Sequence, residues 1–189
     1  MNPQENYQAI LVQLKKEHKE LKKSDDLYVF IRLITGIAMV VCVFFALMYP
    51  SLILWMAFFS SLVLFVIMVV KHGRLRYRLR HTKALIRINQ GELAYLDGDF
   101  SAFDAGNQFR DPSHLFAEDL DLFGDRSLFQ RVNRSSTQKG REKLAKELAA
   151  NDFSEVEFKQ TGIHELSEML HWRQNVLALS AQLDDQKTE

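Results

Sequence analysis

The chain has 189 residues, of which 47% are hydrophobic and 25% charged, and its formal net charge at pH 7 is zero. That balance conceals a division, because residues 1–90 carry 13 Lys and Arg against 5 Asp and Glu, whereas residues 91–189 carry 11 against 19. The acidic second half argues against nonspecific binding to nucleic-acid phosphates by that half alone, and the single cysteine, Cys42, excludes an intramolecular disulfide and a cysteine-based zinc site.

The first predicted element is an amphipathic helix within residues 1–30. Apolar residues and one histidine recur three and four positions apart, and lysines occupy the other face. These residues are Tyr7, Ile10, Leu11, Leu14, His18 and Leu21. Such a helix packs on a partner helix, lies on an anionic membrane surface, or stays solvated against the rest of the protein, and periodicity alone does not choose among these alternatives.

The second predicted element is a transmembrane helical hairpin within residues 31–71. No charged residue occurs in the 38 positions from Leu33 to Val70. One helix of that length would extend about 57 Å, roughly twice the ~30 Å of a bilayer core. Pro50 disfavours helix at the preceding residue, so we expect two antiparallel crossings, 33–49 and 52–70.

Basic residues flank the apolar run on both sides and are missing from its central turn. The predicted membrane-flanking residues are Arg32, Lys71, Arg74, Arg76, Arg78 and Arg80, with further lysines upstream. Because positive residues stay on the cytoplasmic side, both termini are expected in the cytoplasm and the turn outside. The expected location is therefore the inner (cytoplasmic) membrane, with two crossings.

Residues 72–189 predict a cytoplasmic region, which completes an all-α fold. Thr82–Leu96 is typical of a helix, although Gly91 weakens its centre. Its inward residues are expected to be Leu85, Ile88 and Leu93. The residues that mark an irregular stretch after it are Gly98, Gly106 and Pro112.

A dense apolar segment, Leu115–Val132, is expected to form the packing core of this region. Hydroxyls at 135–137 predict the cap of a helix that ends near Ala150. Ser154, followed by Glu157, matches a capping box and predicts a last helix to about Leu183. Its expected packing residues are Ile163, Leu166, Leu170, Trp172, Val176 and Leu177.

Three short motifs in the second half resemble one family as a set. They are Asp119-Leu120-Asp121-Leu122-Phe123-Gly124, then Ser127-Leu128-Phe129-Gln130, then Asn133-Arg134-Ser135-Ser136-Thr137 with Gly140-Arg141. They resemble the core-domain entry of MutS-like proteins, and more narrowly of the membrane-anchored MutS-related ATPases of bacteria. His114-Leu115-Phe116-Ala117 and Trp172-Arg173-Gln174 are similar too, so the resemblance covers roughly residues 85–180. Two departures are Ser135-Ser136, where a Thr is usual, and Gly162, which interrupts a helix.

The resemblance implies a helical core and lever joined to a dimerising C-terminal domain that binds ATP and Mg²⁺ in a DNA mismatch repair-type protein. These 189 residues contain no Gly-x-x-x-x-Gly-Lys-Ser/Thr loop, so we expect no cofactor site and no catalytic residue in this chain. The chain is then a noncatalytic membrane tether. Its implied partners are the lipid bilayer, a second copy, a separate ATPase subunit and, through the complete architecture, nucleic acid.

Two other functions remain open from the sequence. One is a stand-alone membrane scaffold that binds a cytoplasmic partner through the N-terminal helix and the acidic half. The other is a membrane hydrolase that uses a metal held by His164, Glu168 and His171, which would share one face of a continuous helix.

One basic cluster in the acidic half is a candidate for contact with nucleic acid or with a partner subunit. Its members are Arg131, Arg134, Lys139, Arg141 and Lys143, with Lys146 nearby. The alternative is a solvated helix face, because Glu142 and Glu147 lie between these cations. Phe116-Ala117-Glu118 matches the Phe-x-Glu wedge of mismatch-reading domains, but it lies in the apolar core segment, where we expect no contact with DNA.

Overall fold

The computed structural model describes residues 2–49, 51–150 and 154–188, with side chains described as far as Leu183. Within those ranges the fold is all-helical and contains no strand. The helices are α1 (Pro3–Met48), α2 (Leu52–Leu96), α3 (Leu128–Val132), α4 (Gln138–Ala149), α5 (Val156–Glu168) and α6 (Leu170–Thr188), with a 3₁₀ turn at Asn107–Phe109. The predicted all-α class is thereby confirmed.

The chain forms two compact units, to which α1 and α2 both contribute. The hairpin unit is Gln13–Lys83, and the head unit is Met1–Val12 together with Ala84–Glu189. The segment predicted as a separate amphipathic helix is the first part of α1, which continues without a break to Met48. Pro50, which was expected to divide the apolar run, lies outside the described residues, and α2 begins two positions after it.

In the hairpin unit α1 and α2 pair in antiparallel directions. Glu17 lies 3.5 Å from Arg78, and Asp25 lies 2.8 Å from His72. Further along, a Cβ placed on Gly36 would lie 3.8 Å from the ring of Phe65. Partner positions thus move backward along α2 as they move forward along α1, as a helical hairpin requires.

In the head unit the C-terminal end of α2 packs against the loop that follows it. A Cβ on Gly91 would lie 3.2 Å from the Cβ of Ala102, so the glycine lets the loop approach the helix closely. Gly91 is buried inside a continuous helix, where it was expected only to weaken the centre. Tyr95 then makes edge-to-face contacts with the rings of Phe100 and Phe103.

The apolar core of the head unit is built around Phe129, which is completely buried. Its other buried members are Ala117, Leu122, Phe123 and Ala145, and the partly buried residues packed against them are Phe109, Phe116, Leu144, Leu148 and Ala149. The prediction that Leu115–Val132 supplies the core is therefore correct for some of its apolar residues and wrong for others. Leu115 is 94% exposed, and Leu120, Leu128 and Val132 are also exposed, because most of the segment consists of turns.

The motif residues hold these turns together through main-chain hydrogen bonds. The amide of Gly124 donates to the carbonyl of Ala105 at 2.8 Å, with φ at +113°. The buried side chain of Gln130 accepts from the amide of Arg126 and donates to the carbonyls of Phe100 and Phe103. Because this amide satisfies three main-chain groups, it fixes the irregular loop before α3.

Helix α4 begins where the hydroxyl-rich segment predicts. Thr137 is its N-cap, and the Thr137 hydroxyl accepts from the amide of Gly140 at 3.1 Å. The helix ends at Ala149, with Ala150 as the C-cap, which confirms the predicted end near Ala150.

The C-terminal region differs from the predicted single helix. Met169, with φ −92° and ψ 49°, ends α5, and α6 begins at Leu170. The capping box was also wrong, because Glu155 precedes the first helical residue in a left-handed conformation with φ at 60°. A left-handed residue there places the start of the helix at Val156, one residue later than a Ser154 cap would.

Several residues that were expected to pack along this last helix are exposed instead. Ile163, Leu166, Trp172 and Val176 are exposed, whereas Leu170 and Leu177 are half-buried. The inward side of α6 is marked by Gln174 and Ala178, both buried. The buried side of α6 contains the polar side chain of Gln174, so the periodicity of apolar residues could not predict which side of the helix is buried.

Candidate functional site

The hairpin unit exposes an apolar surface on both of its helices. Leu52 and Ile53 are 77% and 76% exposed, and almost none of the most apolar stretch of either helix is buried. Both α1 and α2 are long and apolar enough to cross a membrane. A helix in the core of a soluble protein would bury such residues, because each large aliphatic side chain gains about 1.5–3 kcal/mol when it leaves water.

The predicted membrane-flanking cations are all exposed on this unit. They are Arg32, Lys71, Arg74, Arg76, Arg78 and Arg80. Arg78 makes a weak pair with Glu17, and both side chains remain largely accessible. Arg32 borders an open apolar groove of about 480 Å³, whose walls include Gly36 and Phe65. Cations therefore lie on both helices at the same end of the hairpin, the end away from the turn between α1 and α2.

A buried polar cluster lies next to the uncharged stretch. His72 is almost completely buried and its Nε2 lies 2.8 Å from an Asp25 oxygen. The ring of Tyr28 stacks on the His72 ring, with 6.1 Å between centroids. These contacts hold α1 and α2 together where the apolar stretch gives way to charge.

Arg134, from the predicted basic cluster, is part of the framework of the head unit. Its Nε and Nη2 donate to the two carboxylate oxygens of Glu92, at 2.6 and 3.0 Å. Its guanidinium also lies 3.7 Å from the centroid of the Phe103 ring and 4.8 Å from that of Tyr95. A cation that contacts two aromatic rings and is neutralised by a carboxylate is not available to a phosphate backbone.

The other cations of the predicted cluster do not form one surface of equal accessibility. Arg141 is half-buried and lies 3.6 Å from an Asp104 oxygen, and Arg131 is exposed beside the Phe100 ring. Lys139 and Lys143 are exposed on α4. Two of the five cations are thus paired within the head unit, which leaves a smaller basic surface than the sequence suggested.

The head unit contains a semi-open cavity of about 320 Å³ between α1, α2, α4 and α6. Its apolar walls include Ile88, Leu170, Trp172, Val176 and Leu177, and its polar groups include Tyr7, Glu92, Arg134, Arg173, Gln174 and residues 135–137. Asn89 and Gln174 support the cavity through a reciprocal pair of amide hydrogen bonds at 2.9 and 3.3 Å. The cavity therefore combines an apolar wall with a polar end, as small-molecule sites do.

Two polar side chains distinguish this cavity from a simple packing defect. The Nε of Arg173 is buried and has no hydrogen-bond partner among the described residues, although Nη2 donates to the carbonyl of Ser167 at 3.2 Å. Burial raises the pKa of Tyr7, Glu92 raises it further, and Arg173 and Arg134 oppose the increase. Tyr7 consequently remains a hydrogen-bond donor at neutral pH.

The three residues that were proposed to bind a metal do not lie on one continuous helix in the structure. The break at Met169 places His164 and Glu168 on α5 and His171 on α6, so the spacing of one continuous helix does not apply. The described part of the chain contains no cluster of three His, Cys, Asp or Glu residues suited to a metal ion. Phe116, from the wedge-like motif, packs on the apolar core, and Ala117 beside it is buried.

Sequence reasoning did not recognise the cavity, although it named some of its residues for other reasons. Tyr7 was placed on the apolar face of an amphipathic helix, and Trp172-Arg173-Gln174 contributed to a family resemblance. Their proximity depends on tertiary packing between residues more than 160 positions apart. The available signal was a Tyr and a Trp-Arg pair on otherwise apolar helix faces.

Comparison with family models, with curated proteins and with solved structures finds no match to this chain. The resemblance to MutS-like proteins therefore stays a prediction.

Proposed function

We propose that this chain is a membrane anchor whose two long helices cross the inner membrane as a hairpin, with both termini in the cytoplasm. The exposed apolar surface of α1 and α2 carries this proposal, because nothing in the hairpin unit covers it among the described residues. Lipid would remove that surface from water. The exposed cations on both flanks favour the cytoplasmic side for those ends.

We further propose that the head unit is the core and lever portion of a membrane-tethered MutS-like ATPase, with the nucleotide site on another domain or subunit. The three motif segments that resemble this family support the proposal, since they form one interlocked structural element. Phe123, Phe129 and Gln130 are buried, and Ser127 caps α3. The motif would then identify a folding unit, and the chemistry would belong to the domain attached to it.

A specific observation also favours the second candidate, a membrane scaffold. Apolar residues remain exposed along both C-terminal helices, and examples are Phe158 at 79%, Ile163 at 68% and Trp172 at 56%. Surfaces of this kind mark protein contacts. The scaffold would bind a cytoplasmic partner there without any nucleotide-dependent step.

Membrane fractionation tests the anchor. The expressed full chain should sediment with membranes, resist alkaline carbonate extraction and dissolve only in detergent. A matched variant with Val40→Lys and Leu64→Lys places one cation in the middle of each apolar stretch and should release the chain. Recovery of the unmodified chain in the supernatant without detergent would contradict the anchor.

The ATPase proposal is tested by the coding sequence that follows Glu189. An in-frame or adjacent Gly-x-x-x-x-Gly-Lys-Ser/Thr motif would support it, and a separately encoded ATPase should copurify with this chain in detergent. Mutation of the apolar surface, Phe158→Ser with Ile163→Ser, should then reduce copurification, while Leu115→Ser, at an exposed apolar residue outside these helices, should not. A complete operon without such a motif would favour the scaffold.

A further inference from the structure

The cavity in the head unit places one cation beside an apolar wall without a carboxylate to neutralise it. Arg134 is held by Glu92 through two hydrogen bonds, so this pair contributes little net charge to the cavity. Arg173 forms no ion pair with any carboxylate among the described residues, and its buried Nε has no acceptor there. Arg173 therefore gives the polar part of the cavity a positive charge that no carboxylate among the described residues balances.

The groups near Arg173 strengthen the preference for an anion. Burial raises the pKa of Tyr7 by more than the positive charge of Arg173 lowers it. Tyr7 therefore keeps its phenolic proton at neutral pH. Residues 135–137 and Gly140, at the start of α4, also line the cavity. The Gly140 amide already donates to the Thr137 hydroxyl, and the positive end of the α4 dipole favours negative charge there.

The apolar residues that line the cavity select for an apolar body. Ile88, Val176 and Leu177 supply aliphatic contacts, and Trp172 supplies an aromatic face that is 56% exposed. A volume of about 320 Å³ is at the lower end of the range for ligand sites. That size suits a small molecule with one ring or a short chain and excludes a nucleotide triphosphate with its metal.

From these features we propose that the head unit binds a small carboxylic acid, with its carboxylate on the Arg173 guanidinium and its apolar body against Trp172. The guanidinium is suited to this task because it offers several fixed donors and its charge is constant. Tyr7 would donate a further hydrogen bond to the carboxylate. This binding site does not depend on the anchor or on the ATPase assignment.

Phenylacetate and its neutral amide, phenylacetamide, provide a direct test because they differ mainly in charge. The chain has two tryptophans, so Trp55→Phe leaves Trp172 as the only tryptophan and makes its fluorescence a local reporter. We expect phenylacetate to change the fluorescence of this full-length variant in detergent in a saturable manner. Phenylacetamide should bind roughly tenfold more weakly or worse, because a charged hydrogen bond is lost.

Two charge-matched variants in the Trp55→Phe chain locate the contact. Arg173→Gln should weaken phenylacetate binding roughly tenfold or more, whereas Lys143→Gln, which removes an exposed cation outside the cavity, should leave it unchanged. The proposal is overturned if acid and amide bind equally, if phenylacetate gives no saturable response, or if Arg173→Gln binds it as well as the control. Should Arg173→Gln lose its helical circular dichroism, the comparison of acid with amide still decides.

Discussion

Gly106 shows how one residue fixes the core of the head unit. Its φ of +69° lies in the left-handed region, and a Cβ at this position would lie 2.6 Å from Cδ1 of Phe129. The Phe129 ring is completely buried and cannot move aside without disturbing Phe109 and Phe123. Gly106→Ala should therefore lower the opening free energy of the core by about 3 kcal/mol, from backbone strain and overpacking together. Hydrogen exchange at the Phe129 amide, which donates to Leu122, measures this change.

Gly162 provides the matched control because it lies in the middle of α5 and a Cβ there would meet nothing within 4 Å. Gly162→Ala should slow hydrogen exchange in α5 and stabilise that helix by up to about 1 kcal/mol. A destabilising effect of Gly106→Ala no larger than that of an exposed substitution would contradict the packing described for Phe129.

The pair Arg134–Glu92 is a partly buried ion pair of the head unit with two-pronged geometry. The side chains are only 25% and 15% exposed, and two short hydrogen bonds join them. Arg134→Met should cost about 2 kcal/mol, since it leaves the Glu92 carboxylate partly buried without a partner and solvent screens only part of the loss. Arg134→Lys should recover little, because an ammonium reproduces neither the fork nor the stacking on Phe103. Hydrogen exchange in α3 and at the end of α2 provides the measurement.

Arg131 is the appropriate comparison for Arg134. It is exposed, and its guanidinium lies 5.3 Å from the Phe100 ring centroid, so Arg131→Met should change the opening free energy by less than about 1 kcal/mol. The double variant Glu92→Gln with Arg134→Met should be more stable than Arg134→Met alone. Equal effects of the two arginine substitutions would show that the pair with Glu92 contributes nothing.

At the scale of the element, helix α4 depends on its N-cap. The Thr137 hydroxyl accepts from the Gly140 amide, so Thr137→Ala should destabilise the first turn of α4 by about 1 kcal/mol, while Thr137→Ser should retain most of the cap. Exchange of the Gly140 amide reports the loss. Ser136→Ala removes the neighbouring hydroxyl and should have a much smaller effect, and the opposite ranking would mean that Thr137 is not the cap.

The elements that local chemistry specifies were predicted from the sequence, and those set by tertiary contact were not. Uncharged length and the position of Pro50 indicated two long apolar helices, and the hydroxyls at 135–137 indicated the start of α4 without showing which one caps it. The break at Met169 has no such signal, because neither glycine nor proline marks it. The left-handed Glu155 is equally unmarked, so the capping pattern at Ser154 was misleading.

The same distinction between local chemistry and tertiary contacts applies to the residues of the candidate site. The predicted membrane-flanking cations were chosen from position alone, and all are exposed. Arg134 and Arg141 were grouped with surface lysines because the sequence did not show that Glu92 and Asp104 would approach them across 42 and 37 positions of chain. The cavity beside Arg173 depends on four helices and was not predicted for the same reason.

For the whole molecule, the distribution of charge makes the topology testable. The flanks of the uncharged stretch contain all 13 cations of residues 1–90, and the residues between α1 and α2 contain none. Transfer of one such cation across the bilayer core is costly, so the uncharged turn should be the part that reaches the outside. In a Cys42→Ser background, Ser51→Cys probes the turn, and Ala9→Cys and Ala181→Cys probe exposed positions near the two ends.

A membrane-impermeant maleimide applied to intact spheroplasts should label the Ser51→Cys chain and neither of the others. After detergent is added, all three should react, which controls for thiols that are protected by packing. Labelling of Ala9→Cys and Ala181→Cys in intact spheroplasts, with Ser51→Cys protected, would reverse the orientation while preserving the hairpin. Labelling at only one end would mean that the chain crosses the membrane an odd number of times, and the pairing of Asp25 with His72 could not then form within one membrane hairpin.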